Sequence, residues 1–278
     1  MLEIIAVEDP DEIRSGVEVI KKAWGAIDLA TILKDIITAI KSNGGLVLLA
    51  KDEDKVVGIS FGFMGYKNSK LYFYSHMTGV AQDYRKNDIG KTLKLKQREW
   101  AKKQNIDLIS WTFDPLQGLN SNFNLRKLGA ISRVYLENHY GTMTDSLNMG
   151  LRSDRLVAEW YINSEHVSEK LKGAKKSYVN LNSSIITKEE GDMRVIESID
   201  LNLEDDNILI EIPKNIVSLK KYKPEEAVRW RNMSANVYKH YFSKGYALLD
   251  FYAKDDANFQ VASKILPDMV PERSIFLE

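Results

Sequence analysis

Cysteine is absent from all 278 residues. Disulfides, thiolate metal sites and a cysteine nucleophile are excluded with it. Histidine is scarce, and His76, His139, His166 and His240 stand too far apart for metal-ligand spacing, so no metal site is expected. Neither sign of charge is in excess, with 39 Lys and Arg against 39 Asp and Glu. No overall field therefore recruits nucleic acid or a membrane surface, and any anion site must be local. No apolar run approaches membrane-spanning length. The opening MLEIIAVEDP is acidic and has no basic segment before an apolar run, so a secretion signal is not expected and the cytoplasm is. Repeats, a Walker phosphate loop and a dinucleotide fingerprint are all missing.

What is present suits a folded protein of one large or two ordinary domains: 44% hydrophobic and 28% charged residues. Ile4 to Val7 predicts a short strand. Asp9-Pro10-Asp11 predicts a helix start, with Ile13, Val17 and Ile20 at helical spacing and an end near Trp24-Gly25. A second helix, about Leu29 to Ser42, carries Ile32, Leu33, Ile36, Ile37 and Ile40 as a buried stripe, and Asn43-Gly44-Gly45 stops it. Two strands follow around the charged turn Asp52-Glu53-Asp54. On the second, Gly58 and Gly62 sit opposite Phe61 and Phe63, for close packing or for a ligand's approach.

The central stretch is Leu71 to Leu95. Its strand half alternates, with Leu71, Phe73, Ser75 and Met77 on one side and Tyr72, Tyr74, His76 and Thr78 on the other. Its helix half puts Ile89, Leu93 and Trp100 on one stripe and spreads Lys91, Lys94, Lys96 and Arg98 over the rest. Between them Tyr84 to Gly90 form a loop of donors and cations feeding a helix N-terminus, which suits an anion. Next come a buried strand, Ile106 to Phe113, halted by Asp114-Pro115, and a short helix with Phe123, Leu125 and Leu128 inside. Two further strands are read at Ile131 to Glu137 and Asp154 to Ile162. Residues 165–191 read as polar linker and exposed strand. Short strands follow near Met193 to Ser198 and Asn207 to Ile212, then a helix from Pro224 to Phe242 and strands at Gly245 to Ala253 and Phe259 to Ile265.

The loop resembles the pyrophosphate loop of the GNAT acetyltransferases, whose pattern is Arg or Gln, two residues, Gly, one residue, Gly or Ala. Here Arg85 and Gly90 match and Asp88 stands where Gly is usual. The segments YSHMTGV, LKLKQREWA, WTFDPLQGLNSNFNLRKLGA, YGTM, SDRLVAEW and IPKNIVSLKKYKPEEAVRWR are similar to an uncharacterised subgroup of that superfamily. The resemblance implies an α+β fold, a mixed sheet splayed beside its fourth strand and flanked by helices. It implies an acetyltransferase domain over residues 1–165 and leaves 166–278 as a smaller α+β unit. It also implies acetyl-CoA as acyl donor, held by Thr78, Val80, Arg85, Lys86, Asn87, Asp88, Ile89, Gly90, Lys91 and an asparagine among Asn120, Asn122 and Asn124.

His76 is then a general base toward an amine, or a satisfied strand histidine. Asp114 holds a cationic substrate, orients a histidine, or caps the next turn. The family's usual proton-donating tyrosine falls on Leu125, which leaves Tyr140 or Tyr135 as donors from a neighbouring strand. Asp88 caps the helix beginning at Ile89 and competes with the phosphate for its donors. Arg152, Asp154 and Arg155 form an ion network. The acceptor is an amine of unknown identity, and a homodimer is compatible with the sequence. A non-catalytic acyl-CoA-binding or sensing module on the same fold is the alternative, and an interaction protein without cofactor the third.

Overall fold

The sheet begins where the second helix stops. The computed structural model describes residues 9, 11, 13, 17, 19, 20, 29–85, 87–141, 150–174, 176, 178, 180–191, 193–254 and 257–277. The expected strand Ile4 to Val7, Pro10, Lys86, Trp24-Gly25, and Thr142 and Met143 of YGTM lie outside them. Asp11, Ile13, Val17, Val19 and Ile20 are helical, as the spacing predicted.

α1 (Leu29–Ser42) ends at Gly44, whose φ of +83° only glycine adopts freely. β1 (Leu46–Asp52) and β2 (Lys55–Lys67) form a hairpin across Glu53-Asp54. β3 (Lys70–Val80) returns along β2 through Asn68 and Ser69, both at positive φ, as a two-residue hairpin turn requires. The stripe assigned to α1 is not buried: Leu33 and Ile36 are exposed, and Ile32, Ile37 and Ile40 are half-buried. The glycines of β2 do pack closely. A Cβ on Gly62 would stand 2.3 Å from the Tyr74 carbonyl oxygen.

β3 contains the feature that sets up everything after it. Phe61 pairs with Met77 and Gly62 with Ser75, so His76 is an extra residue, a bulge. The bulge reverses the alternation beyond it. Thr78 Oγ1 lies 2.7 Å from Ser60 Oγ, which accepts from Gln97 of α2 (Ile89–Lys103). Thr78 therefore shares the α2-facing side of Ser75, and the uninterrupted alternation that put it beside His76 is corrected.

β4 (Leu108–Phe113) runs parallel to β3, but the two pair only at Phe73 with Ile109 and Tyr74 with Ser110. Beyond that point they part. Ser75 to Val80 stay with β2, while Trp111 to Phe113 stay with β6 (Arg155–Tyr161), every residue of which is buried. β5, only Tyr135–Leu136, closes a six-stranded mixed sheet of order β1-β2-β3-β4-β6-β5. The expected longer strand from Ile131 is reduced to that pair and isolated bridges, Ile131 to Glu159 and Ser132 to Leu248. After β4, α3 (Gly118–Ser121) runs into a π-helical turn, Asn122–Lys127, ended by Gly129 at φ +72°.

The rest of the chain builds a hairpin of β7 (Ile185–Glu190) and β8 (Met193–Ile199), and a three-stranded sheet. That sheet comprises β9 (Asn207–Ile212), β10 (Ala247–Lys254) and β11 (Ala257–Ser263) in the order β10-β11-β9. Two short helices appear where none was read, α4 (Glu165–Leu171) and α5 (Ile216–Tyr222). Ser164 caps α4 and Asn215 caps α5 through their side chains. α6 (Pro224–Ser243) buries Ala227, Trp230, Val237 and Tyr241, the stripe its spacing predicted. One apolar core runs from Phe73, Ile109 and Trp160 of the large sheet through Ile210, Trp230 and Tyr238.

Candidate active site at the strand fork

Where β3 and β4 part, the β3 edge facing β4 has no strand partner among the described residues from Ser75 to Val80. Such an edge presents backbone donors and acceptors to an extended ligand. Its far end leads through Ala81 to the loop and to the N-terminus of α2, whose first-turn N–H groups have no intrahelical partners. The fork is thus open at the end where an anion would be held and closed at Tyr74.

Side chains pin the closed end from both faces. On one face Tyr140 Oη lies 3.0 Å from Thr112 Oγ1 of β4 and 3.5 Å from Tyr74 Oη of β3. His76 lies on this face, its ring centroid 5.6 Å from that of Phe61 and about 6 Å from those of Phe63 and Tyr74. Partial burial lowers its pKa below the ordinary histidine value, so the neutral form prevails at pH 7. Burial also raises the Tyr74 pKa, helped by its neighbour Tyr140. His139 stacks edge-on against Tyr140, and Arg155 lies over that ring.

On the other face Lys94 donates from Nζ to Ser75 Oγ at 2.8 Å and stands 3.6 Å from the centre of the Trp111 ring. Ser75 donates to Gln97, and Gln97 donates to Ser60. Trp111 Nε1 donates to Asn124 Oδ1 at 3.2 Å. The helical spacing predicts Lys94 among the lysines spread outside the apolar stripe of α2. It is instead 3% exposed. Its signal was its place next to Leu93 on a helix that also buries Gln97 and Ala101.

The anchor loop is only partly as read. Arg85 is exposed and reaches the Val80 carbonyl at 3.5 Å. Asn87, Ile89, Gly90 and Lys91 surround the start of α2. Asp88 occupies the N-cap position at φ +51°, ψ +17°, but its carboxylate caps nothing; it pairs with Lys127 at 3.4 Å. The capping role is corrected, because the left-handed backbone turns the side chain away from the first-turn donors. Lys127, Lys91, Arg126, Asn122 and Asp88 line a cavity of about 200 Å³ beside this helix end. Lys127 and Arg126 are cations that the loop pattern alone could not reveal.

Other expected site residues are placed elsewhere. Asp114 accepts from both terminal nitrogens of Arg231 at 3.0 and 2.8 Å and from the Leu116 N–H, so its lone pairs are occupied inside the core. It caps its turn, as expected, and in addition ties β4 to α6 through Arg231. Asn120 is exposed within α3 and caps no helix. Leu125 is fully buried. Tyr135 donates to Asp154 and stacks on Tyr238, away from the fork. Arg152 binds Glu137 and Asp154 as the expected network has it. Among the described residues no group of His, Asp and Glu side chains could hold a metal.

No family model and no curated protein matches the chain. Solved structures of GNAT acetyltransferases are similar to it in fold comparison. A GNAT family acetyltransferase from Elizabethkingia anophelis with acetyl-CoA bound gives a TM-score of 0.38 at 14% identity over 50% of this chain and 93% of that one. The NatC complex bound to Gag peptide and CoA gives 0.39 at 17% over 58% and 94%. Aminoglycoside 6'-acetyltransferase type Ii gives 0.37 at 19% over 46% and 76%.

Proposed function

We propose that the chain is an acetyl-CoA-dependent N-acetyltransferase acting on an amine. The observation that carries this reading is the fork: two residue pairs of parallel β3–β4, then a free strand edge leading to an uncapped helix N-terminus rimmed by cations. The diphosphate of the donor sits at Arg85 to Lys91, and Lys127 faces the same cavity. The pantetheine arm pairs along the β3 edge through Thr78 and Val80 as an added strand. The thioester lies at the closed end, beside the bulge, where edge N–H groups polarise its carbonyl.

His76 takes the proton from the acceptor amine, as a neutral imidazole can. Tyr140 lines the same face and orients the acceptor. Asp114 serves the fold rather than the reaction. Asp88 in the glycine slot and Leu125 at the tyrosine position favour a second reading, an acyl-CoA-binding module without turnover.

Acetyl-CoA should raise the melting temperature, and thiol should be released from it with some member of a panel of amines. Replacing Arg85 and Lys127 together by Ala should weaken binding by at least tenfold with the fold retained, each charge-assisted phosphate contact contributing about 1.5–3 kcal/mol. His76→Gln should lose roughly 10²-fold in turnover with cofactor affinity kept. Binding without thiol release selects the module; no binding removes both readings.

A further inference from the structure

Lys94 is a buried cation-forming group with no part in holding the donor or in deprotonating the amine. Its Nζ bridges the first residue of β3 past the pairing, Ser75, and the first residue of β4 past it, Trp111. That is the closed end of the fork, on the face opposite His76 and Tyr140. Its neighbours are neutral on every packed element: Ser75 on β3, Ser60 on β2, Gln97 on α2, Trp111 on β4 and Asn124 beyond. Lys91 lies one turn earlier on the helix and His76 across β3. Asp114, at the end of β4, is taken by Arg231. Among the described residues Lys94 has no carboxylate partner within 4 Å, although it is 97% buried.

Resting on the acetyltransferase reading, we propose that Lys94 is the proton donor to the thiolate that leaves when the acetyl group is transferred. The two faces of the fork then divide the proton traffic. The acceptor nitrogen approaches from the His76 side and bonds to the thioester carbonyl carbon, losing its proton to the imidazole. The carbon–sulfur bond breaks, and the sulfur takes a proton from the Lys94 ammonium. His76 later gives its proton to solvent, and Lys94 regains one as the product leaves. The bonded chain already runs outward from the amine, Lys94 to Ser75 to Gln97 to Ser60, so Ser75 Oγ holds Nζ in place without claiming all its hydrogens.

Burial lowers the Lys94 pKa from 10.5 to about 7. An ammonium that releases its proton near neutrality is a competent acid for a thiolate, whose conjugate acid titrates at about 8.5 in the cysteine case. The leucine at the usual tyrosine position then causes no loss, because the donor comes from α2 instead of from the helix after β4.

The experiment is thiol release from acetyl-CoA by the full chain at saturating amine, across pH 6–9, for wild type and Lys94→Met, with melting curves plus and minus acetyl-CoA. Methionine is an unbranched, uncharged side chain that can follow the path of the lysine stem, and Ser75 keeps Gln97 as partner. Lys94→Met should retain the acetyl-CoA-induced rise in melting temperature and lose about 10²-fold in kcat. The wild-type kcat should fall on the alkaline side as Lys94 deprotonates, and that limb should vanish in the variant. Lys94→Gln is the second variant should methionine pack badly, and the wild-type limb needs no variant. Full turnover in either variant, a wild type without the alkaline limb, or mass-spectrometric acetylation of Lys94 itself overturns the proposal while binding keeps the acetyltransferase reading alive. A wild type that neither binds nor releases thiol overturns both.

Discussion

Lys94 and Lys170 are buried to nearly the same extent, 3% and 4% exposed, and their surroundings treat them in opposite ways. Lys170, on α4, pairs with Asp250 of β10, and Tyr178 Oη donates to the same carboxylate at 2.6 Å. Burial lowers its pKa while Asp250 works against that fall. Lys94 has a hydroxyl and an aromatic face, and burial acts unopposed. A buried ion pair holds its charge because a partner replaces part of the lost hydration; a buried lone amine is held between two protonation states. Lys170 joins two regions of the fold, as the Asp114–Arg231 pair does. Lys94, without such a partner, has its pKa lowered by burial to about 7.

The comparison breaks most visibly at its paired end. Asp250→Ala should destabilise the protein by about 3–5 kcal/mol, since it strands Lys170 in the core. Urea unfolding would measure it. A loss no larger than that of a surface substitution would mean that solvent reaches Lys170, and the contrast with Lys94 would disappear.

Removing Lys94 should act in the other direction. Unfolded, it titrates near 10.5; folded, near 7. Below pH 7 both states hold the proton, and the native state carries the whole penalty of the buried ammonium. Between the two values the unfolded state alone holds it, so the native state recovers as pH rises. Above 10.5 the penalty is gone. Lys94→Met should therefore be stabilising at pH 7, by on the order of a few kcal/mol, with a gain that shrinks toward pH 10. A gain independent of pH would be packing alone.

This contrast was invisible in the sequence for a definable reason. Both lysines stand in amphipathic or polar segments, and helical periodicity sorts residues by hydrophobicity, which places a lysine outside by default. The fold itself was more legible. α1, the β1–β2 hairpin, α2 and the stripe of α6 follow from spacing and from Gly, Asn and Pro at their ends. The bulge at His76 was not, because period-2 alternation continues across it without a local mark; it shows only in pairing with β2. α4 and α5 were hidden by lysine-rich or short runs. Arg231 lies 117 residues from Asp114, so no local pattern could tell that carboxylate's partner. Of the candidate site, the loop and His76 were readable as residues, whereas their division onto two faces of a fork was not.

The smallest expected effect concerns Asp88. Its αL backbone is one that glycine adopts without strain, and its carboxylate pairs with Lys127 across 3.4 Å. Both side chains are well exposed, so the pair itself contributes about 0–1 kcal/mol. Asp88→Gly loses that pair and relieves the left-handed residue, a gain of roughly the same size, set against glycine's extra freedom when unfolded. The melting temperature should hardly move. Cofactor affinity should rise by several-fold, because the substitution removes a negative charge from the cavity and frees Lys127 for a phosphate. Repulsion between exposed charges is screened by salt, so calorimetric titration should show the tightening shrink between low and high salt. Tightening that is indifferent to salt would assign the gain to backbone approach instead of charge. Weaker binding would mean that the Asp88–Lys127 pair holds the cavity open, and that the carboxylate belongs to the site rather than opposing it.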